Sequence, residues 1–309
     1  MIKLLLLTIL AIFSTTSMAA APMIKTQAPG YYRYMLGDFE VTALFDGTIA
    51  ISSALLNNPV KSSEADLKKS FLSNPTETSV NAYLINTGAK LILIDTGAAA
   101  LFGPSLGKLG ESLKASGYTP EQVDEVYVTH LHNDHIGGLF AGQKVVFPNA
   151  VIRADKHELD FWINEENLAK APKEMKGFFE GPINTFAAYT KAGKVKSFEG
   201  DTQLVDGIKA MNTHGHTAGH IAYLVESKGQ KMIVIGDLIH VAGVQLKHPE
   251  VTIQYDSNTK EASAQRKKIF EEAAKEGYVV AAAHISFPGL GRLIKDGKKY
   301  TWLPVNYLP

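Results

Sequence analysis

The chain has 309 residues, of which 45% are apolar and 20% are charged, so it is long and apolar enough to bury a sizeable core. Lys plus Arg and Asp plus Glu both number 31, which leaves no net field for a nucleic-acid backbone or an anionic membrane. The sequence contains no cysteine, which excludes disulfides, thiolate metal sites and cysteine nucleophiles. We therefore expect no nucleic-acid partner, and any metal must be bound by nitrogen and oxygen ligands.

The amino terminus has the features of an export signal. Lys3 supplies positive charge, residues 4–13 form a short apolar stretch, and Ser17-Met18-Ala19 is a small-x-small cleavage site. The alternative is a retained membrane anchor, but the apolar stretch is shorter than the roughly 20 residues that span a bilayer. We expect cleavage after Ala19 and a periplasmic or secreted protein that has no membrane contact once the signal is removed.

The pattern of apolar residues predicts a short extension over residues 20–35 and a single domain over residues 36–309. In chain order we predict a strand pair over residues 39–51 around the turn Asp46-Gly47, a hairpin of strands 80–85 and 91–94, a helix over 104–115, a strand over 123–128, a helix over 156–163, strands over 204–210, 221–226 and 231–235, a helix over 260–275 and a buried run over 278–283. This order favours two mixed β-sheets packed face to face with helices outside, an α+β architecture.

A dense cluster of metal-ligand side chains follows the strand that ends at residue 128. His130 and His132, two residues apart at a strand end, project to the same side and can converge on one ion. Asp134 and His135 add an oxygen and a nitrogen ligand nearby. Isolated histidines are more often surface or core residues, but four strong ligands within six residues favour a metal site.

Three later segments carry further ligand types. His216 and His220 lie in a glycine-rich loop between two predicted strands. Asp237 follows the apolar strand over residues 231–235, and His284 follows the last buried run. A carboxylate at the end of a buried strand requires a partner, and a metal is the strongest one. Five histidines and two aspartates suffice for two borderline divalent cations with one bridging carboxylate.

The order His-x-His-x-Asp-His, Gly-His-Thr-x-Gly-His, Gly-Asp and a late His resembles the dinuclear hydrolases of the metallo-β-lactamase superfamily. Residues 28–33, 77–85, 94–97 and 284–289 are similar to its methyl parathion hydrolase and lactonase branch. The resemblance implies a four-layer αβ/βα sandwich with the site along one edge. It also implies two divalent metal ions per chain, with zinc as the first expectation and manganese, cobalt or iron as alternatives, and it suggests a homodimer.

Carried over by motif, the resemblance implies a ligand set for each ion. One metal takes His130, His132 and His216, the other takes Asp134, His135 and His284, and Asp237 bridges the two. Such a pair lowers the pKa of a shared water and polarises a carbonyl or phosphoryl oxygen, so no side-chain nucleophile is needed. We assign Asp134 the further role of orienting the attacking hydroxide and moving its proton.

His240 lies three residues after Asp237, where acyl-homoserine-lactone hydrolases of the superfamily often have a tyrosine beside the substrate carbonyl. Two roles stay open for this imidazole: donating a hydrogen bond to a carbonyl or lactone oxygen, or packing beside the metal ligands. The missing hydroxyl argues against quorum-signal lactones as preferred substrates. It leaves aryl esters and aromatic lactones open.

The resemblance also implies an aromatic pocket for the leaving group. Phe102, Trp162 and Phe179 stand where relatives have pocket aromatics, and Leu55 and Tyr255 are weaker candidates for the same wall. Ordinary core packing is the alternative for each. We expect His220 to support the ligands rather than bind metal, Asp95 to tie loops beneath the site, and His157 and His248 to be solvated.

The sequence therefore predicts an exported small-molecule hydrolase acting on lactones and aryl esters such as dihydrocoumarin-like compounds, with phosphotriesters as a side activity. A dedicated organophosphate hydrolase of the methyl parathion type is the first alternative. A non-catalytic periplasmic metal-binding protein is the alternative from another class. Ser105 lies in a Gly-x-Ser-x-Gly pattern, but the preceding residues do not form a strand pattern, so a serine nucleophile is disfavoured.

Overall fold

The computed structural model describes residues 21–57, 63–142 and 144–307, so the predicted export signal lies outside the described residues. In chain order the strands are β1 (Tyr31–Leu36), β2 (Phe39–Ile51), β3 (Leu56–Asn57), β4 (Thr76–Asn86), β5 (Leu91–Ile94), β6 (Glu125–Tyr127), β7 (Phe140–Ala141), β8 (Lys144–Val145), β9 (Val151–Asp155), β10 (Val195–Phe198), β11 (Thr202–Val205), β12 (Ile208–Asn212), β13 (Ile221–Ser227), β14 (Gln230–Val234), β15 (Thr252–Ile253), β16 (Val279–Ala281), β17 (Leu290–Asp296) and β18 (Lys299–Pro304). The α-helices are α1 (Ser63–Lys69), α2 (Leu109–Ala115), α3 (Asn133–Ile136), α4 (Lys156–Trp162), α5 (Glu165–Lys170), α6 (Lys176–Lys191), α7 (Ala242–Gln245) and α8 (Thr259–Glu276). None of these helices is long and apolar enough to cross a membrane.

Two seven-stranded mixed sheets form the centre of the molecule. Their orders are β1-β2-β4-β5-β6-β9-β10 and β11-β12-β13-β14-β16-β17-β18. The buried apolar cluster between the two sheets contains Tyr83 and Ile92 of the first sheet and Tyr223 and Val234 of the second. The sheets are therefore packed face to face, as the sequence predicts.

Helices cover the outer faces of both sheets. Leu113 of α2, Trp162 of α4 and Phe186 of α6 pack on the outer face of the first sheet. Ile269 and Phe270 of α8 pack on the outer face of the second. The four layers are thus helix, sheet, sheet and helix, and the predicted fold class is confirmed.

The amino-terminal boundary of the domain differs from the prediction. Residues 31–36 form β1, which pairs antiparallel with the whole first half of β2, from Tyr31 opposite Leu44 to Leu36 opposite Phe39. The last part of the expected extension over residues 20–35 is therefore an edge strand of the first sheet. The sequence signal is weak because this edge strand alternates exposed and half-buried residues and buries only Leu36 completely.

The predicted strand pair over residues 39–51 is wrong, because β2 runs through as one strand. Asp46-Gly47 forms a β-bulge rather than a turn. The buried Asp46 carboxylate accepts hydrogen bonds from the backbone amides of Ala98, Gly107 and Leu109. Gly47 has a φ of 145°, and a Cβ there would lie 2.0 Å from the Ser105 carbonyl oxygen, so only glycine fits.

The same carboxylate explains why the helix predicted over residues 104–115 is too long. Only residues 109–115 are helical, as α2. The amides of Gly107 and Leu109 are bound to Asp46, and Gly107 has a φ of 88°, which no right-handed helix accommodates.

The strand predicted over 204–210 is also wrong, because Asp206-Gly207 turns the chain between β11 and β12, with Gly207 at a φ of 80°.

The two long helices illustrate strong and weak sequence signals. Helix α8 begins after Asn258, whose side chain accepts from the Glu261 amide, and ends at Gly277 with a left-handed φ of 71°. Helix α6 has no such signals and contains Pro182 and Gly181. A Cβ at Gly181 would lie 1.9 Å from Oδ1 of Asn133, so this glycine allows α6 to approach α3 closely.

Candidate metal centre

The ligand side chains follow strands whose ends meet at one edge of the sandwich. Strand β6 leads into His130 and His132, and its parallel neighbour β5 leads into Asp95. Strand β14 leads into Asp237, and its parallel neighbour β16 leads into His284. Because the ends of parallel strands lie at the same edge, each sheet contributes ligands to a common site.

Four side chains form a first ligand group. Nδ1 of His132 lies 3.0 Å from Nε2 of His130 and 3.1 Å from Nε2 of His216. Oδ2 of Asp237 lies 3.3 Å from Nε2 of His216 and 3.6 Å from Nε2 of His130. All four side chains are buried.

A second group forms around the other oxygen of the same aspartate. Oδ1 of Asp237 lies 3.0 Å from Nε2 of His135 and 3.1 Å from Nε2 of His284. Oδ2 of Asp134 lies 3.6 Å from Nε2 of His135 and 3.5 Å from Nε2 of His284. The two oxygens of Asp237 thus face two different ligand groups, which is the arrangement of a bridging carboxylate.

The spacing of these atoms fits a pair of divalent cations. Two ligand atoms about 2.0–2.2 Å from a tetrahedral ion lie about 3.3 Å apart, close to the separations in both groups. Nε2 of His135 and Oδ1 of Asp237 are buried and, although 3.0 Å apart, make no hydrogen bond, an unfavourable state that coordination to a cation relieves. The structure thus brings together the seven side chains predicted from the sequence. Nitrogen and oxygen donors of this kind suit zinc and several other first-row ions.

Most of the histidine ligands are oriented through the ring nitrogen that faces away from the ligand group. Nδ1 of His135 lies 2.9 Å from Asp95, Nδ1 of His216 lies 2.8 Å from Asp256, and Nδ1 of His284 lies 2.9 Å from the Ser79 carbonyl oxygen. Such partners fix the tautomer and the direction of each imidazole.

Charge around Asp237 divides the histidines of the metal-free protein into two sets. Burial lowers the pKa of His130 and His132 well below its usual range. Burial acts in the same direction on His216, but hydrogen bonds to Asp237 and Asp256 outweigh it and raise the pKa of His216 to about 9. Two histidines are therefore neutral and poised to bind a cation, whereas His216 holds a proton that a cation must displace.

Two buried carboxylates fix the loops that carry the ligands. Asp95, as predicted, lies beneath the site and accepts hydrogen bonds from the amide and the hydroxyl of Thr129. Glu158 of α4 accepts from the amide of Leu131 at 3.0 Å and from the amide of Gly219 at 2.7 Å, so it joins the two histidine loops. Glu158 could not be identified from the sequence, because nothing in its helical surroundings distinguishes it from a solvated acid.

His220 has the supporting position expected for it. Its Nε2 accepts a hydrogen bond from the backbone amide of Asp237 at 3.0 Å, and its Nδ1 lies 2.8 Å from the Thr213 hydroxyl. Burial lowers the pKa of His220 to about 3, so the ring stays neutral. Both ring nitrogens are occupied, and His220 positions the backbone of Asp237.

His240 is buried against the same aspartate. Its Nε2 lies 3.0 Å from Oδ2 of Asp237, and its ring stacks on that of His284 at 5.3 Å. Burial lowers the pKa of His240, so the ring is neutral and has one N–H, which the contact with Asp237 places on Nε2. Nδ1 is buried without a partner. This geometry favours the packing role over donation to a substrate oxygen.

The remaining histidines lie outside the two groups. His157 is exposed, as predicted, and bonds to Asp155. His248 is only 21% exposed and lies 3.1 Å from Asp66, so the expectation of a solvated side chain is wrong for it. His214 lies near Asp155 and His157.

Two cavities open beside the ligand groups. One of about 340 Å³ is lined by Phe102, Asp134, Asp237, His240 and His284, and the other of about 550 Å³ is lined by Trp162, Phe179, His216 and Lys170. His132, Phe178 and Tyr255 line both. The site is therefore open toward two adjoining cavities, each with aromatic side chains in its wall.

Four of the five residues predicted to line the substrate pocket border at least one of these cavities, and one does not. Phe102, Trp162, Phe179 and Tyr255 line the cavities, whereas Leu55 packs against the apolar cluster around Ile51 and Leu67 and lines neither. The placement of Leu55 in the pocket wall is therefore wrong. Phe178, which borders both cavities, was missed because Phe178 and Phe179 are adjacent and sequence alone does not say which faces the site.

Ser105 lies in a turn beside the smaller cavity. Residues 95–108 form no strand before it, so the strand-turn-helix geometry of a nucleophilic serine elbow is missing there.

The fold and the site together define an αβ/βα sandwich with a candidate dinuclear metal centre at one edge. Residues 75–284 match the family model described as the metallo-beta-lactamase superfamily, and the chain belongs to that superfamily.

Relatives with known structures extend over nearly the whole chain. AbOPH, described as a hydrolase in the β-lactamase superfamily, has a crystal structure and shares 39% sequence identity with this chain. The two structures superpose with a TM-score of 0.87, and the match covers 92% of this chain and 100% of AbOPH. AidC, a dizinc quorum-quenching lactonase solved with a product, is 28% identical, with a TM-score of 0.82 over 91% of this chain and 99% of that one. An N-acyl homoserine lactonase from Bacillus sp. is 29% identical over 47% of this chain and 58% of its own length.

Proposed function

We propose that this protein is an exported, dinuclear metal-dependent hydrolase of lactones and aryl esters, with phosphotriester hydrolysis as a side activity. The observation that carries the proposal is the position of Asp237, whose two oxygens face separate ligand groups and which lines an open cavity. A storage site would close its coordination sphere with protein ligands, whereas a catalytic site keeps an open position.

Two divalent cations, when bound, supply a water of lowered pKa and a Lewis acid for the substrate oxygen. The protein's own contribution begins with Asp134, which lines the smaller cavity. From that position it can orient the attacking oxygen and accept its proton. Its Oδ2 lies 3.6 Å from Nε2 of His135 and 3.5 Å from Nε2 of His284.

The aromatic walls favour flat leaving groups. The ring centroids of Trp162 and Phe179 are 4.8 Å apart, and Phe161 packs on Trp162 at 4.8 Å, so the larger cavity has a rigid aromatic side. Stacking and burial of an aryl ring there would hold the scissile bond near His132, which borders both cavities. This supports aryl esters and aromatic lactones as the preferred class.

The similarity to AidC supports a carbonyl substrate. His240 stands in place of the tyrosine expected beside a quorum-signal carbonyl, which argues for aromatic lactones over acyl-homoserine lactones. A dedicated phosphotriesterase is the second candidate, since the same centre can polarise a phosphoryl oxygen. Zinc as the metal, export to the periplasm and a homodimer are further parts of the proposal.

The test is a parallel assay of the mature chain loaded with zinc, manganese or cobalt. Dihydrocoumarin, an aryl ester, a phosphotriester and a β-lactam are compared, with a chelator and a serine-directed inhibitor as controls. We expect carbonyl substrates to be hydrolysed fastest, with loss of activity in chelator and none with the serine reagent. Faster phosphotriester hydrolysis would support the second candidate, and two bound metals without turnover on any substrate would support a metal-binding protein instead.

A further inference from the structure

A third group of ligand side chains lies outside the candidate dinuclear centre. It consists of Asp155 at the end of β9, His157 in the first turn of α4 and His214 in the loop after β12. Their potential ligand atoms all lie within 4.8 Å of one another. Segments far apart in the sequence thus place one carboxylate and two imidazoles together at the protein surface.

Asp155 is a fixed ligand in this group. Its side chain is fully buried, caps α4 by accepting from the His157 amide at 2.8 Å, and accepts from the Gly200 amide at 2.8 Å. These bonds hold the carboxylate in one orientation. Oδ1 faces Nδ1 of His157 at 2.8 Å, and Oδ2 faces Nε2 of His214 at 3.8 Å.

The two imidazoles differ in how far they are buried. Nε2 of His214 is buried and has no hydrogen-bond partner, although its backbone amide is fixed by Asn212. His157 is 56% exposed, and its ring centroid lies 5.1 Å from that of His214. Oδ2 of Asp155 and Nε2 of His214 lie 3.8 Å apart, near the separation of about 3.3 Å between two ligands of a tetrahedral ion. Rotation of the exposed His157 ring can adjust the position of the third donor relative to these two.

We propose that Asp155, His157 and His214 form a third binding site, distinct from the dinuclear centre, for a borderline divalent cation such as Zn²⁺. Three protein ligands leave one position for water, and the mixed nitrogen and oxygen donors suit zinc, cobalt or nickel better than magnesium or calcium. The adjacent Lys156 is ion-paired with Asp160, which offsets its charge beside the site.

A cation at this site joins the start of α4 to the loop that carries His216. His214 is two residues from His216, and the loop is fixed at its other end by Glu158. Occupancy of the third site should therefore stabilise the loop and raise the thermal stability of the protein. The site itself does not depend on the proposed hydrolase activity.

The test counts zinc in the full chain after equilibrium dialysis. Wild type is compared with His214→Ala, with His157→Ala and with His248→Ala, a matched control whose histidine also has a carboxylate partner but lies outside all three groups. We expect each of the first two variants to bind one zinc fewer than wild type, and the control to bind the wild-type number. Equal zinc counts in all four proteins would overturn the proposal.

A cobalt titration separates the third site from the centre. With correct folding verified by circular dichroism, wild type should show a further change in visible absorption after the centre is filled, and His214→Ala and the milder His214→Asn should not. A further change that persists in both variants would contradict the site. Failure of the dinuclear centre itself would lower the count equally in wild type and variants and leave the difference between them intact.

Discussion

Nδ1 of His216 lies 2.8 Å from Oδ1 of Asp256, a buried contact between residues forty positions apart. The other oxygen of Asp256 accepts from the Ile253 amide at 3.0 Å, so the carboxylate is itself fixed. The Ser257 amide also donates to the His216 carbonyl oxygen at 2.9 Å. His216 is therefore held from behind at both its ring and its backbone.

Replacing Asp256 with Asn should weaken metal binding without removing a ligand. Loss of the charged acceptor at a ligating histidine commonly lowers metal affinity about 10- to 100-fold. Competition with a chromophoric chelator measures the change. The matched control is Glu271→Gln, an exposed carboxylate paired with Lys295, and an Asp256→Asn affinity equal to that of the control would contradict the orienting role.

His240→Ala distinguishes the two roles left open for this imidazole. If His240 orients Asp237, the variant should lose metal affinity by about tenfold or more, and turnover should fall with the metal content. Metal analysis alongside steady-state kinetics on an aryl ester measures both. Full metal content together with a reduced kcat would instead support donation to the substrate oxygen.

Asp134→Asn tests the proton role assigned to Asp134. An amide oxygen can still face a cation but cannot accept a proton, so hydrolysis should fall by about 100-fold or more. Activity is expressed per bound metal, because the substitution also weakens a ligand. A variant with both metals and full turnover would show that Asp134 only binds.

Glu158→Gln should destabilise the protein through the backbone. The amide side chain retains one acceptor for the two backbone N–H groups of Leu131 and Gly219, and a buried unsatisfied donor costs about 1–3 kcal/mol. Urea unfolding of the metal-free protein measures the loss, with the exposed Glu166→Gln on α5 as control. Unchanged stability would mean that Glu158 does not hold the loops together.

Zinc affinity should rise with pH. In the metal-free protein burial opposes protonation, but contacts with Asp237 raise the pKa of His135 and His284, and those with Asp237 and Asp256 raise the pKa of His216 to about 9. A bound cation must displace these protons, so zinc affinity should increase as pH rises toward about 9 and protons should be released on binding. The raised pKa values also imply that the metal-free fold loses stability as pH rises from 6.5 through about 9.

Calorimetric titration in buffers of different ionisation enthalpy measures the protons released. His130 and His132 should contribute none, since burial keeps them neutral. A zinc affinity that stays constant between pH 6.5 and pH 9 would contradict the protonation pattern.

That the ligand side chains meet at one edge could be predicted from short-range spacing and strand ends, whereas their division between two ions is what the family resemblance implies. His130 and His132 leave one strand end, and Asp237 and His284 end parallel neighbours, so local pattern and sheet geometry agree. Asp256 and Glu158 could not be predicted, because their roles arise only when distant segments pack together.

Two identical dipeptides show where local signals fail. Asp206-Gly207 turns the chain between two strands, whereas Asp46-Gly47 forms a bulge inside one strand. The difference lies in the Asp46 carboxylate, which accepts three amide hydrogen bonds from the loop that begins at Ala98. Tertiary contacts, rather than the dipeptide, decide the outcome.

Anomalous diffraction from zinc-loaded crystals at the zinc edge would show whether Asp237 bridges two metal ions. We expect two peaks about 3.5 to 4 Å apart, one on each side of the Asp237 carboxylate. One peak would touch His130, His132 and His216, and the other Asp134, His135 and His284. A single peak, or a pair in which Asp237 contacts only one ion, would contradict the bridging role.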